Sequence, residues 1–358
     1  MKLSQTFNLP KSRGIVHWNG VAGTAFLSAI LAGTTPAVAQ SSAASLSTPC
    51  AVWVVRNALG SRATWLEALT AVERVGCRRI YLQVSGRWDA YYPSRVFPQP
   101  ARSPSQPGWE DPFGEAVGSA HSRGLEVHAW VNAMLAWSAP DAPPDPSHVY
   151  RRRPEWFVAD RSGRSIRELS RSELDRAGLI GEGWFLDPAQ MEVRTELRRF
   201  VLELALRYPV QGVHLDYIRY PSGWTPESGS AVLTYLVGLI HDDLALARPE
   251  VALSAAVLPI PAEADRSFGQ DWGAWLERGL VAEVVPMAYR DRPEDVLGIV
   301  REYPPSLTRA KLWIGVRLDR LNPAEARQVA DALALDGVAG QALFSHNLLL
   351  EDPAWQAR

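Results

Sequence analysis

The chain has 358 residues, of which 47% are hydrophobic and 21% charged, and its formal net charge is −2. That balance belongs to a globular protein with a sizeable core and excludes a chain that is disordered by composition. It also argues against a nucleic-acid binder, which needs a basic field.

The first segment reads as separate from the fold. Lys11 and Arg13 supply a basic start, an apolar run extends from Gly20 to Gly33, and Ala37-Val38-Ala39 forms a small-residue exit. This pattern predicts a secretory signal over residues 1–39, cleaved after Ala39, and hence a secreted or periplasmic protein. The apolar run is too short to span a bilayer comfortably, and no later segment reads as apolar enough to do so, so no stable membrane insertion is expected after cleavage. Residues 40–49 form a low-complexity, flexible lead-in, and residues 50–358 are expected to be one catalytic domain.

Cys50 and Cys77 precede two neighbouring strand candidates, AVWVV and IYLQV. In an oxidising compartment they form a candidate disulfide, two buried free thiols being the alternative. Neither sits in a His/Cys cluster that would suggest zinc.

From there, short apolar runs alternate with amphipathic helical stretches. AVWVV is followed by TWLEALTAVERVG, IYLQV by DPFGEAVGSAHSRG, and LEVHAWV by EVRTELRRFVLELALR. GVHLDYI is followed by SAVLTYLVGLIHDDLALA, VALSAAVL by DWGAWLERG, and AEVVPMAY by RPEDVLGIVREY. KLWIGV precedes NPAEARQVADALALDG, and VAGQALF ends the series before a poorly defined last helix in NLLLEDPAWQAR. Eight strands with a helix after each of the first seven predict parallel strands joined by right-handed crossovers. The fold class is therefore α/β, a single (β/α)8 TIM barrel.

Two connections, 85–110 after the second strand and 132–191 after the third, are far longer than the usual few residues. Both leave the carboxyl ends of strands, where barrel enzymes build their sites. They hold Trp88, Trp109, Trp137, Trp156 and Trp184, and the fourth connection adds Trp224, among 14 Trp in the chain. An indole face stacks on the apolar face of a sugar ring, so these residues outline a candidate carbohydrate groove; pinning the insertions to the barrel is their other reading.

Strand alternation decides which side chains look inward. In GVHLDYI it directs Val213, Leu215 and Tyr217 to the helices, and His214 and Asp216 into the barrel. By the same rule His128, Trp130, Asn132, Tyr81 and Gln83 point inward, and Arg317 stands at the upper rim. Buried polar atoms cost ~1–3 kcal/mol each when unpaired, so this gathering is either a self-satisfied network or the floor of an active site.

The motifs GRWDAYYPS, AHSRGLEVHAWVN, PPDPSHVYRRRPEW and GVHLDYIRYP, in that order, resemble the bacterial glycosyl-hydrolase-like family ten, from about Ala51 to past Pro221. The resemblance implies an exported barrel glycosidase, with some relatives acting on peptidoglycan glycan strands. It implies Asp216 as the leading catalytic residue, and site roles at Asp89, His128 and Asn132. Two departures stand out. Tyr217 occupies the place where many relatives carry a second Asp, and Trp88 a place where relatives often have Gly.

Glycoside hydrolysis uses two carboxyl groups, one to protonate the leaving oxygen and one to attack or to activate water. Asp216 supplies one. For its partner, Asp89, Glu182, Asp187 and Asp291 are available; Asp187 and Asp291 also read as helix caps, and Asp89 is placed first with Asp291 second. Gln83, Trp88, His128, Trp130, Asn132, His214, Arg219, Tyr289 and Arg317 are the expected substrate-binding set. The expected function is an exported, cofactor-free and metal-independent glycoside hydrolase acting on a polysaccharide, with peptidoglycan glycan strands among the candidates. A non-catalytic carbohydrate-binding barrel is the alternative. A metal-dependent hydrolase or deacetylase is disfavoured, since the first strand has no His-x-His pair. Sugar, linkage, stereochemical course and oligomeric state are not legible.

Overall fold

A computed structural model describes residues 48–358 apart from 101–106, 140, 177–181, 305–306, 308–311 and 357–358; the expected signal segment lies outside the described residues. Eight strands form one sheet: β1 (Cys50–Val54), β2 (Arg79–Ser85), β3 (Glu126–Asn132), β6 (Gly212–Asp216), β7 (Ala252–Val257), β8 (Glu283–Pro286), β9 (Trp313–Arg317) and β10 (Gly340–Phe344). Between β3 and β6 lie two shorter strands, β4 (Leu135–Trp137) and β5 (Trp184–Phe185), paired antiparallel as a separate ribbon. The large sheet runs β8-β7-β6-β3-β2-β1-β10-β9, with every neighbouring pair parallel. Parallel bridges from Val284 to Leu312 and from Met287 to Gly315 join the two outer strands, so the sheet closes into a (β/α)8 barrel.

The alternation that defines the strands also builds two cores. Outward residues such as Val52, Ile80, Val127, Val213, Leu215 and Ile314 pack beneath the helices. Inward residues Ala51, Trp53, Tyr81, Trp130, Ala256, Val285, Trp313 and Ala342 fill the barrel. Large rings meet small partners there: a Cβ on Gly315 would lie 2.9 Å from Trp53, and one on Gly340 2.5 Å from Trp313. Below these rings, at the amino ends of the strands, Arg79 pairs with Glu283 at 2.6 Å and with Glu126 at 2.9 Å. Cys50 and Cys77 are joined by a 2.05 Å disulfide that ties the starts of β1 and β2.

Three sequence expectations need correcting. The β4–β5 ribbon was not foreseen, because strands of three and two residues carry no usable periodicity. The helix Gly229–Ala247 is, by length and a hydropathy of 1.3, apolar enough to cross a membrane, contrary to the expectation that no later segment is. Its apolar stripe of Leu233, Leu236, Val237, Ile240 and Leu244 is instead buried, while Asp243 at the edge of that stripe pairs with Arg198 at 2.7 Å. Finally, Tyr217 does not face the helices. β6 ends at Asp216, and Tyr217 takes a left-handed φ of 51°, which breaks the alternation and turns its ring toward the barrel mouth beside Arg219 and Phe185.

Candidate active site

Asp216 is the last residue of β6, inward-facing and 9% exposed, so its carboxyl is largely stripped of water at the carboxyl end of the barrel. Its Oδ1 accepts a 2.7 Å hydrogen bond from the Tyr217 backbone N–H. Burial raises the carboxyl to about 6, against the opposing pull of that N–H, of the Arg219 charge and of the adjacent Trp130 indole. Two phenols flank it. Burial, and then the Asp216 charge, push Tyr217 up to about 12 and Tyr289 well above its ordinary value, so both remain neutral hydrogen-bond donors. A carboxyl held near neutrality among neutral donors is suited to giving up a proton to a reacting oxygen.

Arg219 is buried beside it, within 5.3 Å of the rings of Phe185, Tyr217 and Phe268. Its Nη1 donates to Glu182 Oε2 at 3.1 Å. Glu182 belongs to the long insertion, one residue before Gly183, whose φ of 99° requires glycine and turns the chain into β5. The insertion thereby delivers a second carboxyl to the neighbourhood of Asp216, through the guanidinium that both charges act upon.

The floor between β1, β2 and β3 is a hydrogen-bonded relay. Arg56 Nη1 donates to Gln83 Oε1 at 2.8 Å, Gln83 Nε2 donates to Asn132 Oδ1 at 3.3 Å, and Asn132 Nδ2 donates to the Gly86 carbonyl at 3.0 Å. Asn132 stands opposite Asp216 in the β3–β6 register, so the relay fixes the wall that faces the carboxyl. Arg317 stands at the rim, bonded to Asp319 through Nε at 2.8 Å and 5.8 Å from the Tyr289 ring.

Several expected site residues are placed elsewhere. Asp89 is 6% exposed, and its Oδ1 accepts both the Gly86 and Arg87 backbone N–H groups at 3.1 Å, so it organises its own turn. Asp291 points outward with its side chain 70% exposed and paired with Arg320 at 2.7 Å, because the chain leaves the barrel wall after Tyr289. Trp88 is sealed at 2% exposure, stacked on Phe97 at 4.7 Å with its indole N–H donating to Ala133 O, so it forms part of the wall under the groove. His214, two residues down the strand from Asp216, is fully buried: it accepts from Trp53 Nε1 at 3.2 Å and its Nδ1 meets Ser254 Oγ at 2.9 Å. His128 is deeper still, packed against Gly212 and Tyr81, and burial lowers it to about 3. Both imidazoles are therefore neutral core groups.

Of the loop tryptophans, Trp109 is buried with its N–H on Leu59 O, and Trp156 is also buried. Trp137, Trp184 and Trp224 stay partly exposed. Reading by sequence missed the contributions of Arg56 and Tyr217. Arg56 follows a strand directly, a signal that was available; Tyr217 depends on a backbone turn that no residue type announces.

The family model described as glycosyl hydrolase-like 10 matches residues 50–235. The glycosyl hydrolase DigH of Escherichia coli (strain K12) is 26% identical over 166 residues, which is 42% of this chain and 33% of that protein. The glycosyl hydrolase YngK of Bacillus subtilis (strain 168) is 24% identical over 163 residues, 44% of this chain and 28% of that one. The match thus spans about a third or less of the length of these curated relatives. Among solved structures, the glycoside hydrolase domain of PgaB (BpsB) from Bordetella bronchiseptica superposes with a TM-score of 0.62 at 13% identity, over 87% of this chain and 97% of that one. The alpha-L-fucosidase isoenzyme 2 from Paenibacillus thiaminolyticus gives 0.56 at 12% identity, over 78% of this chain and 42% of that one. At such identities the likeness is one of fold.

Proposed function

Because the chain belongs to the glycosyl hydrolase-like 10 family, we propose that it is an exported glycoside hydrolase of polysaccharides, peptidoglycan glycan strands among them, with Asp216 and Glu182 as its two working carboxyl groups. The observation that carries the reading is Asp216 itself: a desolvated carboxyl raised to about 6, at the end of a barrel strand, whose charge acts on the Tyr217 and Tyr289 phenols. In this scheme Asp216 passes its proton to the glycosidic oxygen as the bond to the anomeric carbon breaks. Glu182, positioned by Arg219, attacks that carbon or activates the water that does. Tyr289 and Asn132 orient the sugar, and Trp137, Trp184 and Trp224 offer partly exposed rings for flanking units. Export rests on the signal pattern and is supported by the Cys50–Cys77 bond, which suits an oxidising compartment.

A second reading, a non-catalytic carbohydrate-binding barrel, is favoured by Tyr217 standing where many relatives carry a second Asp. Reducing-end release from purified glycan strands and a panel of polysaccharides separates the two. Asp216→Asn is expected to lower release by a factor of about 10²–10⁴ while glycan binding persists, and Glu182→Gln to do likewise. Full activity in Asp216→Asn would overturn the assignment. Binding without release by the unaltered protein, on every substrate, would establish the second reading.

A further inference from the structure

We infer that Trp130 is a positioning residue for the acid step: its indole N–H, unengaged within the barrel, bonds the Asp216 carboxylate once that group has given up its proton. The inference rests on the glycosidase reading and adds a residue to its machinery.

Trp130 points into the barrel from β3. The register sets it between Gln83 on β2 and His214 on β6, one layer beneath the pair formed by Asn132 and Asp216. Its body belongs to the inner core of Trp53, Tyr81, Ala256 and Val285, and it meets the Phe344 ring edge-on at 6.5 Å. The residue is 3% exposed, and its buried Nε1 donates to no acceptor among the described residues. An indole N–H can only donate, and leaving one unmet in a core costs ~1–3 kcal/mol. Trp53, Trp88, Trp109 and Trp275 are as deeply buried, and each of them donates to an acceptor.

The polar atoms around Trp130 are already committed. Gln83 Oε1 accepts from Arg56, and Asn132 Oδ1 accepts from Gln83. His214 is held between Trp53 and Ser254. What remains is the Asp216 carboxyl, against which the indole lies. Its Oδ1 takes the Tyr217 backbone N–H, which leaves Oδ2 to carry the proton.

In the acid step the Oδ2–H bond breaks and its proton joins the glycosidic oxygen. That oxygen keeps the electron pair of the breaking bond to the anomeric carbon, and Glu182 or the water it activates supplies a new pair to the carbon. Asp216 is left as a carboxylate in a site largely stripped of water. A hydrogen bond to a charged oxygen is about twice as strong as one between neutral groups, so the Trp130 N–H gains most at that moment. A donor fixed in place before charge develops lowers the barrier without reorganising.

The other groups facing this corner are Arg219 and Tyr217 from the turn after β6, Tyr289 after β8, and His214 and His128 beneath. Glu182 acts through Arg219, and Arg317 through Tyr289. The arginines keep their charge. Burial keeps the two phenols and the two imidazoles neutral near pH 6. Asp216→Asn separates the ionisation of Asp216 from that of Glu182.

The test has a spectroscopic and a kinetic arm. In proton–nitrogen spectra of the whole protein with labelled indoles, the Trp130 resonance is the one missing from Trp130→Phe. It is expected to move downfield as the pH rises, with a midpoint near 6, and to stay still in Asp216→Asn. Should Trp130→Phe fail to fold, the spectra of the unaltered protein and Asp216→Asn decide alone: no indole whose movement depends on Asp216 overturns the inference. In the kinetic arm, Trp130→Phe should lower kcat about tenfold with the Michaelis constant within about twofold. The alkaline limb of its kcat profile should rise by about one pH unit, because a carboxylate without this donor holds its proton more tightly. A fall in kcat with the limb unmoved, or a change confined to the Michaelis constant, would reduce Trp130 to packing or sugar contact and overturn the role. The spectra need no glycan. A still indole in a protein that hydrolyses glycans removes the inference alone, whereas a moving indole in a protein that hydrolyses none removes the glycosidase reading and the role with it.

Discussion

Asp216 keeps its proton more tightly in the folded barrel than it would in an unfolded chain, since burial raises it from 3.8 to about 6. The stability contributed by that retained proton is complete below pH ~4 and is lost as the pH rises through ~6, where the native state must carry a poorly solvated charge. Asp216→Asn removes the titration. It is therefore expected to unfold at higher urea than the unaltered protein at pH 8, by as much as ~3 kcal/mol, and to show no such gain at pH 4. Identical pH dependence in the two proteins would mean that the carboxyl is not raised. The inward direction of Asp216 was legible, because it follows from the parity of one short strand. The roles of its neighbours were less so. His128, His214 and Trp88 look like ligand-binding residues in sequence, yet each is sealed from solvent, the last with a left-handed φ of 54°. Tyr217 reads as one more outward strand residue until its own φ of 51° turns it to the mouth.

The elements themselves divide by how local their information is. β1 and β2 are apolar runs with strict alternation, and the disulfide closes the 27-residue separation between their leading ends. Replacing both Cys50 and Cys77 by Ser should lower stability by ~3 kcal/mol through the entropy regained by the unfolded chain. It should leave the Michaelis constant unchanged, because the bond lies at the amino ends of strands whose carboxyl ends carry the site. Urea midpoints with and without reductant check this: reduced native protein and the double variant should coincide. The insertion behaves otherwise. Its ribbon of β4 and β5 is too short to be read as periodicity, yet it turns the chain at Gly183 and sets Glu182 against Arg219. Glu182 was in view among the available carboxyls, and unlike Asp187 and Asp291 it does not read as a helix cap, but nothing near it in sequence announces that it meets Arg219.

In the whole barrel, the buried ion pair and the candidate site lie at opposite poles. Arg79 and Glu283 pair at the amino end, with side chains 15% and 10% exposed, while Asp216, Glu182, Arg56 and Tyr289 collect at the carboxyl end. Glu283→Gln should cost ~2 kcal/mol, less than the 3–5 kcal/mol typical of breaking a buried pair, because Glu126 still pairs with Arg79. Turnover and Michaelis constant should not move, and a tenfold fall in turnover would contradict this separation of roles. The sequence by itself determined the eight alternating strands, their closure into a barrel, the family and the inward face that carries Asp216. Each of these is written in short-range periodicity or in contiguous motifs, and strand parity needs only two neighbours to be read. That Glu182 meets Arg219 beside Asp216 and which of the loop tryptophans remain partly exposed were decided by tertiary structure alone. Those facts depend on contacts between residues such as Glu182 and Arg219, or Arg87 and Ser138, that meet only after the barrel closes and the insertion folds back across its mouth.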